Sequence, residues 1–324
     1  MQFTLDELQA AQRQVHAQMP PTPQYCWPQL GARAGAEVWL KHENHTPTGA
    51  FKARGAITFI DWLRRMHPQV PGIITATRGN HGQAQARAAS AAGLRAVVYV
   101  PHGNSPEKNA AMRAFGAELR EFGDDFDSAK DEAMRVAGIE GLFAVPPFHR
   151  ELVRGVASYA LELFEAAQPL DAVYVPIGCG SGICGTIAAR DALGLATEVI
   201  GVVAAAAPTA RLSAEAGRAI ATTAARTFAD GMAVRVPVAE ALAVYGRGAA
   251  RFVSVSDDEI AAAIRMLFAD THTLAEGAGA AALAALLQEA PRQRQRRVGV
   301  IVSGGNIDSD RMVLVLAGGT PAPG

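Results

Sequence analysis

Cysteine is scarce in this sequence: Cys26, Cys179 and Cys184 are the three among 324 residues. Their number and irregular spacing argue against a disulfide framework and a cysteine-based zinc site. An excess of either charge is also missing, with 30 basic and 31 acidic side chains and a formal net charge of -1. Without a bulk positive field, we expect no nucleic acid or membrane surface as a partner.

Long apolar segments are absent as well. No run reaches the roughly 18 residues that a membrane-spanning helix needs. The N-terminus lacks the basic and apolar regions of a secretory signal. Thr4 and Glu7 instead predict a capping box that opens an amphipathic helix. We therefore expect a cytoplasmic protein that handles small ligands.

Short apolar runs alternate with helix-length segments along most of the chain. This rhythm predicts an α/β fold with mostly parallel sheet covered by helices, and the length suits two domains. After Pro20, Pro21 and Pro23 an irregular stretch is expected. The predicted strands are Gly72–Thr77, Arg95–Val100, Gly116–Phe122, Gly141–Val145, Asp171–Ile177, Glu198–Ala205, Arg251–Val255 and Arg297–Ser303. Ligands bind beyond the carboxyl ends of parallel strands, so residues after each strand are candidates for a site.

A glycine-rich loop follows one of these strands and leads into a helix predicted from Ile183 to Leu193. Its residues are Gly178, Cys179, Gly180, Ser181 and Gly182. Glycine lets several backbone N–H groups point at one anion, and a helix N-terminus favours negative charge, so a terminal phosphate is the expected ligand. Gly185 completes the dinucleotide pattern G-x-G-x-x-G, but no acidic residue for a ribose follows Val203. A turn that merely permits close packing is the remaining alternative.

The segment from Lys41 to Ala56 contains the candidate nucleophile. Lys52 lies between Phe51 and Ala53 in an apolar, small-residue environment. Desolvation favours the neutral amine, which forms a Schiff base with a carbonyl group, and the Phe51 ring offers a flat face to a cofactor. The alternative is that Lys52 is an ordinary solvated charge, as Lys41 is expected to be.

Two further loops follow predicted strands. The loop Thr77-Arg78-Gly79-Asn80-His81-Gly82 opens a helix, and its N–H groups and threonine hydroxyl suit a carboxylate. Asn80 also fits a simple helix cap, and His81 a structural role. The other loop begins at Ser303, whose hydroxyl can address a ring nitrogen, although an ordinary Gly-Gly turn fits as well. Three such strand ends in one chain predict one composite pocket.

Together these segments resemble the fold-type II pyridoxal-phosphate family, in the branch of threonine/serine dehydratases and serine racemase. The resemblance rests on TGAFKARGA, RGNHGQA, GCGSG and SGGN, which occur in the family's order and spacing over nearly the whole chain. It implies a fold like that of the tryptophan synthase β chain, pyridoxal 5'-phosphate as cofactor, and a lyase. The implied reaction removes water and ammonia from a 3-hydroxy amino acid and leaves a 2-oxo acid.

The resemblance also assigns roles to residues. Lys52 would carry the cofactor and later take the Cα proton, Asn80 would bind the phenolic oxygen, and Ser303 the ring nitrogen. The implied cofactor-binding residues are Phe51, Lys52, Asn80, Gly178, Cys179, Gly180, Ser181, Gly182 and Ser303. The implied substrate-binding residues are Thr77, Arg78, Gly79 and His81.

A discontinuous architecture is implied too. Residues 1–71 and 146–324 would form a large cofactor-binding domain, and residues 72–145 a small mobile domain that closes over substrate. No C-terminal regulatory domain is expected. Relatives of this type assemble as homodimers or larger homo-oligomers, which is the expectation here.

No metal site is expected. His42, Glu43 and His45 lack the H-E-x-x-H spacing and a third ligand, so we interpret them as polar loop residues. The family's divalent-metal carboxylates are replaced by Ala207 and Ser213, and hard cations need charged oxygen ligands. We therefore predict no dependence on magnesium or calcium from that place.

The substrate stays open at this point. Arg78 replaces a serine that is common in the family and that acts as the second base in racemases. A guanidinium cannot do so because it stays protonated, which disfavours racemisation. Arg78 would either pair with a second acceptor on the substrate or point outward as an ion-pair partner.

The candidate substrates are threonine, serine, 3-hydroxyaspartate, phenylserine and a hydroxyectoine breakdown product. The last candidate follows from ENHTPTGAFKARG and ATRGNHGQ, which look similar to hydroxyectoine-utilisation dehydratases. A β-replacement enzyme is disfavoured because its motifs differ around Lys52. A dinucleotide oxidoreductase lacks its acidic residue, and an intact Lys52 argues against a binding protein without catalysis.

Overall fold

Two β-sheets organise the fold, and the computed structural model describes residues 1–167 and 169–323. Within these residues the strands are β1 (Gln24–Cys26), β2 (Glu37–His42), β3 (Gly72–Ala76), β4 (Arg95–Val100), β5 (Ala117–Glu121), β6 (Phe143–Ala144), β7 (Ala172–Pro176), β8 (Glu198–Ala204), β9 (Arg251–Val255) and β10 (Arg297–Val302).

Helices separate nearly all of the strands. In the first half of the described chain they are α1 (Leu5–His16), α2 (Pro28–Ala34), α3 (Lys52–Met66), α4 (Asn80–Ala91), α5 (Pro106–Ala114), α6 (Phe126–Glu140) and α7 (Arg150–Ala166). In the second half they are α8 (Ser181–Ala192), α9 (Thr209–Ala216), α10 (Ala239–Gly248), α11 (Asp257–Thr271), α12 (Gly277–Gln288) and α13 (Ser309–Leu316). No helix in the described ranges is long and apolar enough to cross a membrane.

The larger sheet has six strands in the order β1-β2-β10-β7-β8-β9. All neighbours are parallel except the β1–β2 pair. In β10, Val300 pairs with Leu40 of β2 and Tyr174 of β7, so the strand is hydrogen-bonded on both edges. Its side chains alternate: Val300 belongs to the core under α11 and α12, whereas Ile301 belongs to the core under α7 and α8. Both faces are therefore buried, as parallel sheets require.

The smaller sheet has four parallel strands in the order β5-β4-β3-β6. Ile73 packs with Phe59 of α3 and residues of α4, and the next residue, Ile74, packs against α6 on the other face. All four strands lie between residues 72 and 144. The division into a fixed large domain and a mobile small domain remains a prediction.

The predicted α/β architecture is confirmed, and all eight predicted strands occur, although β6 is reduced to two residues. The prediction of an irregular stretch after the prolines was wrong, because β1 and β2 lie there. Strand β2 was missed since Lys41 and His42 make its sequence polar; both are buried. The capping box at Thr4 and Glu7 is present.

Candidate active site

The candidate nucleophile Lys52 is the first residue of α3. Its Nζ lies 5.0 Å from the centre of the Phe51 ring, which meets Tyr159 edge-on with centroids 6.2 Å apart. The backbone N–H of Phe51 donates to the carbonyl oxygen of Ser303 at 3.0 Å. This bond ties the lysine segment to the end of β10. Lys52 is half-buried, so the full desolvation that its apolar neighbours indicated is not observed.

The glycine-rich loop connects β7 to α8, as predicted, but the helix begins at Ser181 rather than at Ile183. Gly180 has φ 100°, a left-handed conformation that favours glycine. A Cβ on Gly178 would lie 2.1 Å from the carbonyl oxygen of Gly231, so a side chain there would displace the facing backbone. The loop and the first turn of a 12-residue helix together present N–H groups to one anion.

Two loops approach Lys52. Burial raises the pKa of Cys179, and the charge of Lys52 partly opposes this rise. Burial, and then the charge of Lys52, lower the pKa of His81 to about 3. Because the same ammonium group acts on both, the glycine-rich loop and the loop after β3 both lie near Lys52. His81 is only partly buried as a residue, but its Nε2 is buried and has no hydrogen-bond partner in the described chain. Such an atom indicates a missing ligand group.

The loop after β3 is held by the hydroxyl of Thr77. Its Oγ1 accepts hydrogen bonds from the N–H groups of Gly79 at 3.0 Å and Gly82 at 3.4 Å. Both N–H groups are thereby occupied within the loop. The remaining N–H groups at the start of α4 are the ones that we propose as contacts for a substrate carboxylate.

Asn80 bridges the two sheets. It is the first residue of α4, and Gly79 is the helix cap, so the alternative of a simple asparagine cap was wrong. Its Nδ2 donates to Glu276 Oε1 at 2.7 Å, and its Oδ1 accepts from Asn306 Nδ2 at 2.7 Å. Asn306 also donates to the carbonyl oxygen of Thr48 at 2.8 Å. The amide of Asn80 is thus fixed in place next to the lysine segment.

Glu276 is a buried carboxylic acid that the sequence analysis missed. Burial raises the pKa of Glu276, while the charges of Lys108 and Lys52 lower it. The carboxylate of Glu276 also lies against Gly304, since a Cβ on that glycine would be 2.5 Å from Glu276 Oε1. The signal was available: Glu276 is the one charged residue between residues 273 and 287. It is the N-cap residue of the alanine-rich helix α12.

Further polar contacts join the start of α5 to residues that lie outside 72–145. Each of them has one partner within residues 72–145 and one partner outside it. They are Lys108 Nζ to Asp230 Oδ2 at 2.8 Å, Ser105 Oγ to Asp308 Oδ1 at 2.5 Å, and the N–H of Ser309 to Glu107 Oε1 at 3.1 Å. With the two contacts of Asn80, these bonds hold the sheets together at the pocket.

A buried network of charges lies behind the lysine segment, formed by Lys41, Glu43, Arg54 and Glu162. Lys41, Glu43 and Arg54 are 0% exposed and Glu162 is 5% exposed. Arg54 Nε donates to Glu43 Oε2 at 2.7 Å, and Arg54 Nη2 donates to Glu162 Oε2 at 2.9 Å. The interpretations of Lys41 as a solvated charge and of Glu43 as a loop residue were therefore wrong. The network fixes the first turn of α3, in which Lys52 lies.

The place predicted to lack a metal holds a short hydrogen-bonded turn. Ser213 Oγ donates to the carbonyl oxygen of Thr209 at 2.7 Å and accepts from the N–H of Ile220 at 3.0 Å, and Ala207 is buried. The independence from divalent metals stays a prediction.

These groups fit a phosphorylated aldehyde cofactor. The glycine-rich loop and the α8 N-terminus suit its phosphate, Lys52 supplies the amine that binds an aldehyde, and the fixed amide of Asn80 can meet a ring substituent. Ser303 Oγ makes no hydrogen bond within the described residues and is therefore free for a ring nitrogen. His81 Nε2, which is buried without a partner in the described chain, is a further polar atom that a ligand can meet.

Comparisons with known proteins agree with this chemistry. The model of the family "Pyridoxal-phosphate dependent enzyme" matches residues 16–304. The chain is 35% identical to an L-threonine ammonia-lyase of Geobacter sulfurreducens, covering 90% of this chain and 73% of that protein. The structure of the processed form of threonine deaminase isoform 2 from Solanum lycopersicum superimposes with TM-score 0.89 at 27% identity, covering 98% of this chain and 94% of that chain.

A structure of a pyridoxal 5'-phosphate-dependent aspartate racemase gives TM-score 0.90 at 26% identity, covering 95% and 97% of the two chains. The family match spans far more than half of the sequence. The chain belongs to the family of pyridoxal-phosphate-dependent enzymes.

Proposed function

We propose that this protein is a pyridoxal-phosphate-dependent lyase that converts a 3-hydroxy amino acid into a 2-oxo acid and ammonia. The observation that carries the proposal is the position of two loops beside the lysine segment. A Cβ on Gly182 of the glycine-rich loop would lie 3.7 Å from Phe51 Cζ. In the loop after β3, Asn80 Oδ1 accepts from Asn306 Nδ2, which also donates to the carbonyl oxygen of Thr48. The named activity of the L-threonine ammonia-lyase relative supports the same reaction class.

Each of these groups has a task in this reaction. Bound pyridoxal phosphate would supply the electron sink that makes the Cα proton removable. Lys52 would hold the cofactor through its amine, and the same amine is the base that takes this proton. The N–H groups at the start of α4 orient the substrate carboxylate, and His81, which is neutral at physiological pH because its pKa is about 3, pairs as an uncharged group. Contacts between the two sheets exclude water during the reaction.

Racemisation is not supported. It requires a second base on the opposite face of the ring, and Arg78 stands where racemases of this branch carry their serine. A β-replacement reaction has no specific observation in its favour. Elimination is therefore the reaction that these residues support best.

A panel of substrates tests the proposal. Purified holoenzyme is incubated with L-threonine, L-serine, phenylserine and both 3-hydroxyaspartate diastereomers, and 2-oxo acid and ammonia are measured together. We expect equal amounts of both products with at least one substrate. Lys52→Ala abolishes the reaction and the visible absorbance of lysine-bound cofactor, whereas the exposed Lys130→Ala leaves both unchanged. No product with any of the substrates, in protein that retains the absorbance, would refute the lyase.

Assembly, location and domain movement are further parts of the proposal. We propose a homodimer or larger homo-oligomer in the cytoplasm, on the basis of the family resemblance, and closure of residues 72–145 over the bound substrate. Light scattering after size-exclusion chromatography measures the assembly. Small-angle scattering with and without substrate measures closure, which would appear as a smaller radius of gyration.

A further inference from the structure

Arg78 is unusual among the arginines of this protein. In the described ranges it is the one partly buried arginine that makes neither a hydrogen bond nor an ion pair. Other partly buried arginines have partners; Arg87, for example, donates to the carbonyl oxygen of Gln18 at 3.1 Å. Within the described residues, none of the Arg78 nitrogens is among the fully buried atoms that lack a partner, so the guanidinium is reachable from solvent and open to a ligand.

The carboxylates near Arg78 are already engaged by other groups. Asp125 at the start of α6 is near enough for the charge of Arg78 to lower its pKa, although hydrogen bonds from Ser128 contribute most to this lowering. Asp125 Oδ1 accepts from the N–H of Ser128 at 2.9 Å. The neighbouring Asp127 forms an ion pair with Arg235, which lies outside residues 72–145. Within the described residues neither Asp125 nor Asp127 forms an ion pair with Arg78.

Arg78 belongs to the loop that we propose to receive the substrate. It lies between Thr77, which fixes the loop, and the Gly79–His81 segment, whose asparagine and histidine are directed to the pocket around Lys52. A guanidinium is planar and offers paired N–H donors that match a carboxylate in a bidentate arrangement. A small polar side chain at this position would leave room for an aliphatic or hydroxymethyl substituent; an arginine selects for an anion.

We infer that Arg78 determines specificity by binding a second carboxylate on the β-carbon of the substrate, so that the enzyme prefers 3-hydroxy dicarboxylic amino acids such as 3-hydroxyaspartate. The inference rests on the proposed lyase function and names its substrate class. Both carboxylates are held in the closed pocket: one by the N–H groups at the start of α4, the other by Arg78.

The reaction balances without any further reagent. The Cα–H bond breaks and its proton goes to the Lys52 amine; the Cβ–O bond breaks and the hydroxyl leaves as water after it takes up a proton. The released enamine takes up one water and yields oxaloacetate and ammonia. No oxidant or reductant is consumed.

Binding of two isosteric amino acids to holoenzyme tests the inference. L-Aspartate and L-asparagine lack the β-hydroxyl leaving group and differ in the charge of one terminal group. Their dissociation constants are read from changes in cofactor absorbance. We expect aspartate to bind on the order of 100-fold more tightly than asparagine. Arg78→Ser should abolish this preference, and Arg78→Lys should retain part of it because the charge remains without the planar fork.

Asp125→Asn is the matched control. Asparagine caps a helix as well as aspartate does, so this variant removes the charge near Arg78 and keeps the structure. It should leave the aspartate preference intact. Turnover is measured in parallel: kcat/KM for 3-hydroxyaspartate should fall on the order of 100-fold in Arg78→Ser, while that for L-threonine is unchanged or rises.

The outcomes separate the two proposals. Equal binding of aspartate and asparagine, or a preference that survives Arg78→Ser, would overturn the role of Arg78. Turnover of L-threonine in the same experiment would still support the proposed lyase function. An equal loss of preference in Asp125→Asn would also overturn it, because Arg78 would then act only through that carboxylate. Absence of a 2-oxo acid from every substrate would overturn the lyase, and with it this inference.

Discussion

Replacing Glu162 with glutamine removes one of the two anions from the buried network of Lys41, Glu43, Arg54 and Glu162. The carboxylate contacts His16 Nε2 at 2.7 Å and Arg54 Nη2 at 2.9 Å, and it forms an ion pair with Lys41. In the variant, Glu43 would be the one anion of this network left to compensate the charges of Lys41 and Arg54. Removing one partner from a buried ion pair costs about 3–5 kcal/mol, because a charge is left without compensation.

The pKa of Glu162 gives the same magnitude independently. Burial alone would raise it, but the charge of Arg54, hydrogen bonds from Arg54 and the charge of Lys41 lower it from 4.5 to about 2. That difference corresponds to about 3 kcal/mol of folding free energy. Because the folded-state pKa lies below the unfolded value, this stabilisation is complete above pH 4.5 and is lost as the pH falls toward 2.

Urea unfolding followed by the fluorescence of Trp27, Trp39 and Trp62 measures the effect. At pH 7 we expect Glu162→Gln to lose about 3 kcal/mol, and at pH 3 less than half of that difference should remain. Glu165→Gln, at an exposed position on the same helix, is the control and should change stability by less than about 0.5 kcal/mol. A loss below about 1 kcal/mol at pH 7, or a difference independent of pH, would refute the reasoning.

Two further variants probe the pocket. Gly180→Ala would place a Cβ 2.7 Å from the Cβ of Ala241 at φ 100°, so cofactor affinity should fall at least about 10-fold in a fluorescence titration. Gly194→Ala, at φ 65° with no atom within 4 Å, carries similar backbone strain away from the pocket and should leave the affinity unchanged. Lys108→Ala removes the bond to Asp230, so amide hydrogen exchange in α5 should become faster by about 10-fold or more. Unchanged exchange there would show that Lys108 does not hold the sheets together.

The parts of the fold that follow from periodicity were predictable from sequence. Strands buried on both faces are continuous apolar runs, and β4 and β9 have the bounds that their apolar runs indicated. Strand β2 was missed for a physical reason: it ends in Lys41 and His42, whose polarity is compensated only by partners far away in sequence. Lys41, for instance, pairs with Glu162, 121 residues along the chain. Local patterns contain no information about such pairing.

The candidate site shows the same division. Motif residues such as Lys52 and Gly180 were found because their local sequence already suits the task. Lys108 was missed because it acts through a partner on the other sheet, whereas Glu276 was missed although its isolation among apolar residues was a signal. The sequence left the partner of Arg78 open, because its nearness to Asp125 arises only when α6 folds beside the loop after β3.

The position of β10 has a consequence for biosynthesis. It is the last of the described strands in chain order, yet it lies between β2, which leads to the lysine segment, and β7, which leads to the glycine-rich loop. A nascent chain that ends before Arg297 has no strand to join these edges and no Ser303 to receive the N–H of Phe51. We therefore expect the two halves of the pocket to meet only after the chain has been made as far as Ser303. A chain terminated before Arg297 would expose two strand edges to proteases.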